Sequence, residues 1–137
     1  MAVVEELLKN ESDGSISFGN YELAEKKKVE NFKSGNDLLK VKSFREITKL
    51  EKNDLFVYES VPGTAVFDFR SDADGVSFKV NGKEDAQITL GLSEETEYNV
   101  LIDGTDTGTV KTNLSGKLSI SLELSENETK EVRVTKK

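Results

Sequence analysis

From residue 76 onward the apolar side chains fall on every second position. Val76, Phe78 and Val80 alternate with polar residues, as do Ile88, Leu90 and Leu92, then Tyr98, Val100 and Ile102. Leu118, Ile120, Leu122 and Leu124 form the longest strict alternation, and Val132 with Val134 closes the chain. Successive side chains of an extended backbone project to opposite faces. This spacing therefore coats one face of each strand with apolar groups and leaves Ser, Thr, Lys and Glu in water on the other. Turn cues separate the runs at Asp74-Gly75, Asn81-Gly82, Asp103-Gly104, Asn113 to Gly116 and Ser125 to Glu128. Asn-Gly between alternating runs is the strongest short hairpin signal. Short strands at this spacing predict an all-β antiparallel sandwich or barrel.

The N-terminal half is less regular. Val4, Leu7 and Leu8 would share one face of a short helix over Val3 to Leu8. Ile16 with Phe18 and Tyr21 with Leu23 read as strands, punctuated by Asp13-Gly14 and Gly19-Asn20. Between Leu38 and Ser60, Phe44, Ile47 and Leu50 lie three apart, a helical spacing. Val41, Phe44, Ile47 and Val57 are nevertheless β-favouring types, and strands are the expectation there. Leu55 to Tyr58 is a continuous apolar run, which suggests a strand buried on both faces. Pro62-Gly63 suits the centre of a type II turn and marks a seam at 60–63. Residues 1–60 carry ten basic and twelve acidic side chains, and residues 61–137 carry nine and fourteen. Two organisations fit: a β-rich N-terminal subdomain, 1–60, on a β-sandwich domain, 61–137, or one sandwich with extra strands.

Composition bounds the chemistry. The 137 residues include no His, Cys or Trp. That removes Ser-His-Asp and Cys-His catalysis, thiolate and imidazole metal sites, disulfides, and the usual proton shuttle near neutrality. The net charge is −7, and an acidic surface repels both phosphate backbones and anionic bilayers, so neither nucleic acid nor membrane is an expected partner. The basic run Lys26-Lys27-Lys28 sits between Glu22, Glu25 and Glu30 and reads as a locally neutralised, solvated face. No stretch approaches the roughly 20 apolar residues of a membrane span. The N-terminal segment has acids, Glu5 and Glu6, where a signal peptide carries positive charge. A cytoplasmic location follows, or an extracellular one if a leader or parent chain has been removed.

The remaining constellations point to turns more than to chemistry. Asp72-Ala73-Asp74-Gly75 resembles the opening of a calcium loop, yet the chain enters a strand at once, without the further oxygen ligands calcium needs. Asp103-Gly104-Thr105-Asp106 reads the same way. The paired acids Glu5/Glu6, Glu84/Asp85 and Glu94/Glu95/Glu97 fall in turns or on polar strand faces, where water keeps them ionised; glycosidase chemistry needs one of two acids held in apolar surroundings. Sequons at Asn10, Asn113 and Asn127 read as coincidence, and the ten Gly are scattered singly rather than gathered in a phosphate loop. No catalytic residue, cofactor or metal ligand is assigned. The candidate ligand contacts are Tyr21, Tyr58 and Tyr98, the aromatic rings on which a sugar would stack, each sitting in an apolar alternation that equally suits a core role.

Two resemblances add to this reading. The run Glu97 to Gly104, then Thr107-Gly108-Thr109-Val110, then Leu114 to Leu122, resembles the closing strands of immunoglobulin-like sandwiches that trail bacterial polysaccharide-degrading enzymes. Over residues 61–137 it implies an immunoglobulin-like β-sandwich in a supporting role, with no catalytic residue to carry over. The whole chain also resembles small free-standing bacterial proteins labelled "endosialidase". Sialidases are six-bladed propellers several times this length that use three arginines. This chain's three, Arg45, Arg70 and Arg133, lie in unrelated segments on the expected polar faces of strands.

The expected function is a non-enzymatic binding or scaffolding module for a protein partner, presenting an exposed apolar patch or an unprotected edge strand. The alternative is a carbohydrate-binding or glycan-acting protein.

Overall fold

A computed structural model describes residues 3–126 and 128–137. Thirteen strands run β1 (Leu8–Asn10), β2 (Ile16–Phe18), β3 (Lys27–Ser34), β4 (Asp37–Phe44), β5 (Ile47–Lys52), β6 (Leu55–Val61), β7 (Ala65–Asp72), β8 (Gly75–Asn81), β9 (Ala86–Gly91), β10 (Glu97–Ile102), β11 (Thr105–Lys111), β12 (Lys117–Leu122) and β13 (Lys130–Lys136). One sheet has the order β1-β2-β7-β8-β13-β10-β11 and the other β12-β9-β6-β5-β4-β3. Neighbours in both are antiparallel. The chain is all-β, a sandwich of two antiparallel sheets. Strands from both sides of residues 60–63 share each sheet, through the β2–β7 and β6–β9 pairings.

The alternating residues do what their spacing requires. Val76, Phe78 and Val80, Ile88 and Leu90, Tyr98 and Val100, Leu118 and Leu122, and Val132 and Val134 all lie in one core. Rings from the two sheets interlock there. Tyr58 of β6 meets Phe18 edge-on at 5.3 Å and Phe78 at 5.7 Å, while Phe69 stacks on Phe78. Such contacts add about 0.5–1.5 kcal/mol each beyond area burial.

Turn chemistry sets the registers. Asp103 (φ 52°) and Gly104 (φ 81°) close the β10–β11 hairpin, and Asn53 (φ 52°) and Asp54 (φ 66°) close β5–β6. Positive φ at both central residues matches the right-handed twist of the flanking strands. The β-favouring residues of the 38–60 stretch form β4, β5 and β6.

Five local expectations are corrected. Val3 to Leu8 is not helical. A six-residue helix has little stability of its own, and the backbone pairs with the Gly19 segment instead: Val4 N–H donates to Gly19 O (2.9 Å) and Gly19 N–H to Leu7 O (3.0 Å). Val4, Leu7 and Leu8 are all buried by this extended pairing. Tyr21 and Leu23 lie in a turn between the sheets, with the Asn20 N–H bound to the Ser43 hydroxyl at 2.8 Å. Asn81-Gly82 makes no hairpin, because β8 and β9 belong to different sheets; the Asn81 side chain is used as a link, accepting from Tyr21 Oη. Leu55 is 70% exposed, so the Leu55–Tyr58 run is buried only toward Tyr58. The Val61-Pro62 bond is cis, and Gly63 lacks the positive φ of a type II turn.

Beneath that crossover lies a closed network of buried hydroxyls. Thr48 Oγ1 donates to Thr64 O (2.8 Å) and accepts from Thr64 N–H (3.1 Å). Ser43, Ser60 and Tyr58 complete it at 2.7–2.8 Å. Among the described residues no buried side-chain polar atom lacks a partner. Full satisfaction is what allows five hydroxyls to sit in a core without a large desolvation cost.

Candidate functional site

The first surface to consider is a cleft of about 860 Å³ at one end of the sandwich, which Tyr21, Arg45, Lys83 and Glu126 help to line. Tyr21 Oη donates to Asn81 Oδ1 (3.1 Å), and Asn81 Nδ2 donates to Thr129 Oγ1 (3.2 Å). Burial, and then Glu22 and Glu126, raise the Tyr21 phenol above its ordinary pKa. The cleft is rimmed by charges of both signs on mobile-length side chains. Among the described residues no side chain lining it is hydrogen-bonded to a carboxylate.

The three candidate tyrosines do not form a platform. Tyr58 is wholly inside, and burial pushes its phenol well above the ordinary value against the opposing pull of its Thr64 and Ser60 hydrogen bonds. Tyr98 is 2% exposed, and its hydroxyl accepts from Ser93 N–H at 3.2 Å. Tyr21 is 3% exposed and reaches only the cleft wall. The rings of Tyr58 and Tyr98 lie within the core and Tyr21 lines the cleft, so the three are not gathered on one surface.

The structure places the three arginines unexpectedly. Arg45 occupies the β4–β5 turn. Arg70 and Arg133 both stand opposite Ser77, one from β7 and one from β13, so two distant segments meet on one sheet face. Arg70 is committed to Asp13 through a 2.8 Å ion pair. The acid groups Glu5/Glu6, Glu84/Asp85 and Glu94/Glu95/Glu97 are exposed. Among the described residues no cluster of three or more acids has the spacing of a metal site. Asp72 and Asp106 each cap their own turn, accepting from Asp74 N–H and Gly108 N–H at 2.8 Å. The sequons at Asn10 and Asn113 fall on exposed positions, where Asn113 Oδ1 accepts from Ser115 and Lys117 N–H; Asn127 lies outside the described residues.

The surface that stands out is the edge formed by β11. Thr105, Thr107, Thr109 and Val110 are β-branched, which favours extended backbone. The Asp103-Gly104 turn folds the strand onto β10 and is itself pinned, because Asp103 N–H donates to Glu131 O and Asp103 Oδ1 accepts from Glu131 N–H, both at 2.8 Å. The far end is anchored by Thr112, buried, whose Oγ1 donates to Ser93 O (2.6 Å) and accepts from Thr96 N–H (2.9 Å). Between these anchors all seven residues of β11 are exposed on both faces. The strand pairs with β10 on one side only, through a bulge at Thr107 and Gly108. Val110 is 38% exposed and Leu114, just beyond the strand, 75%.

The other edges are blunted. β1 has three residues, and β3 carries Lys27, Lys28 and Lys33 and a bulge. β12 is buried on alternate residues, and the Lys117 ammonium is held 4.8 Å from the Phe56 ring centre. Lysines, bulges and short length are the usual devices against unwanted strand pairing. β11 has a bulge and Lys111 of its own, but it is the edge strand whose residues are exposed on both faces along its whole length.

The local neutralisation expected at Lys26 to Lys28 is also redistributed. Glu30 pairs with Lys40 of β4 at 3.5 Å, while Lys28 stands opposite Lys42.

No family model, curated protein or solved structure matches this chain.

Proposed function

We propose that the chain is a non-enzymatic β-sandwich binding module that takes an extended segment of a protein partner along β11. The observation that carries this reading is a seven-residue edge strand, anchored at both ends and exposed on both faces. Strand addition draws affinity from main-chain hydrogen bonds and specificity from alternate side chains. The exposed Val110 and Leu114 offer the apolar contacts that such a segment would bury. The finer immunoglobulin-like reading is supported by Tyr98. Its hydroxyl bonds to the backbone five residues upstream, the arrangement of a tyrosine corner in such sandwiches.

The carbohydrate reading has less support, since a stacking platform needs solvent-facing rings and Tyr21, Tyr58 and Tyr98 are buried. Peptide display against the folded protein separates the two. The expected outcome is enrichment of extended, β-branched segments that perturb the amide resonances of residues 105–111 and bind at least tenfold more weakly to Val110→Lys. Peptides that map elsewhere, or binding to a glycan array in their place, would overturn the reading.

A further inference from the structure

The second sheet carries a feature that an acidic chain has no structural need to build. Antiparallel register sets Lys28 of β3 directly opposite Lys42 of β4, and Lys42 directly opposite Lys49 of β5. Like charges in directly opposed positions on a sheet destabilise it. Lys42 sits at the centre of this row, on an interior strand of the sheet, where edge protection cannot account for it. The acids nearby are partly committed. Glu30 pairs with Lys40 at 3.5 Å and Glu51 with Lys49 at 3.7 Å, and the row ends at Glu59, opposite Lys49. Among the described residues Lys28 and Lys42 have no carboxylate within salt-bridge distance. Lys28, Lys40, Lys42 and Lys49, with Glu51, line a depression of about 170 Å³, roughly the share of six waters at about 30 Å³ each. Partial burial, and then the neighbouring Lys26, Lys49, Lys28 and Lys40, lower the Lys42 ammonium's pKa.

From this juxtaposition we infer that the depression on the outer face of β3, β4 and β5 is a binding site for a compact polyvalent oxyanion, a phosphate- or sulfate-bearing group. Such a group fits the cavity, meets three or four ammonium donors and converts their mutual repulsion into attraction. Lysine's flexible stem and compact charge suit a tetrahedral anion approached from several strands. An extended polyanion is disfavoured, because the row is bounded by Glu59 and the chain as a whole is acidic. The site is on the opposite sheet from β11 and stands independently of the strand-addition reading.

The test is an NMR titration at low ionic strength with inorganic tripolyphosphate and, in a second arm, a sulfated disaccharide. Sodium chloride at matched ionic strength and a single-stranded oligonucleotide serve as comparisons. Tripolyphosphate, the sulfated sugar or both should shift resonances of residues 28, 40–42 and 49–51, and whichever arm is tighter identifies the source of the oxyanion. Lys42→Gln should weaken binding at least tenfold. It should also raise the anion-free melting temperature, since it removes the central charge of the row. Lys79→Gln, on the other sheet, should leave anion binding unchanged. If Lys42→Gln does not fold, the exposed Lys28→Gln carries the same comparison. Equal shifts with chloride, equal binding by Lys42→Gln and Lys79→Gln, or binding of the oligonucleotide alone would overturn the proposal.

Discussion

The hydroxyl of Tyr58 lies 2.8 Å from Oγ1 of Thr64, inside the core, and joins β6 to the start of β7 across the crossover between the sheets. Tyr58→Phe keeps the ring and its edge-on packing against Phe18 and Phe78 but leaves the buried Thr64 hydroxyl one partner short. The expected cost is about 1–3 kcal/mol, read from urea unfolding. Because burial raises the Tyr58 phenol above its ordinary value, the folded state favours the protonated form. That stability is complete below the unfolded value near 10 and is lost as the pH rises toward the folded value. Absorbance at alkaline pH should show one tyrosine failing to ionise until the chain unfolds, and Tyr58→Phe should remove that step.

A second hydroxyl closes the other end of the sandwich. Tyr98 Oη accepts from Ser93 N–H at 3.2 Å and so ties the start of β10 to the loop leaving β9. Tyr98→Phe should cost about 0.5–1.5 kcal/mol, the net value of a partly solvated hydrogen bond. Amide exchange at Ser93 should accelerate while the core amides of β8 and β13 keep their protection.

These two tyrosines show how far the sequence could be read. Alternation marked Tyr98 as a strand residue, and so it marked the core contributions of β8, β9, β10, β12 and β13, since period two is a property of each strand alone. It could not say which strands pair. Asn81-Gly82 looked like a hairpin because its neighbours alternate, yet the chain there changes sheets, a choice made by layers that only the folded chain contains. The same gap hid the meeting of Arg70 with Arg133 and of Lys28 with Lys42 and Lys49, all products of register between distant segments. β11 was missed for a different reason. Thr105 to Lys111 has no apolar face, so it gives no periodic signal; a segment of β-branched residues between two turns with nothing to bury is itself the mark of a strand that overhangs the core.

The turn after β1 is held to β7 by Asp13. Its Oδ1 accepts from Ser15 Oγ (2.6 Å) and Ser15 N–H (3.0 Å), and its Oδ2 from Arg70 Nη2 (2.8 Å). The Ser15 hydroxyl and N–H, more than the Arg70 charge, hold the carboxyl below the usual carboxylate range. A depressed value means the contribution is present above the ordinary carboxylate pKa and is lost as the pH falls through the lowered one. Carbon NMR should therefore find Asp13 titrating below the ordinary carboxylate range. Ser15→Ala should raise its midpoint more than Arg70→Gln does, and the reverse order would show that the ion pair dominates.

Gly75 opens β8 between β7 and β13, opposite Asp72 on one side and Thr135 on the other. Its φ is 146°, in a region that L side chains rarely adopt, and a Cβ there would run into the carbonyl of Val134. Two penalties therefore fall on Gly75→Ala: the backbone conformation, and a clash with main chain that cannot rotate away. Gly104 separates them. Its φ of 81° is also left-handed, but nothing lies within 4 Å of the position a Cβ would take. Gly104→Ala should cost about 1 kcal/mol, the dihedral penalty alone. Gly75→Ala should cost about 3 kcal/mol or more, as overpacking adds to it. Urea midpoints for the two variants settle the comparison. Equal losses would mean that β13 yields at Val134, and that the seam between β8 and β13 is softer than its central place in the sheet requires.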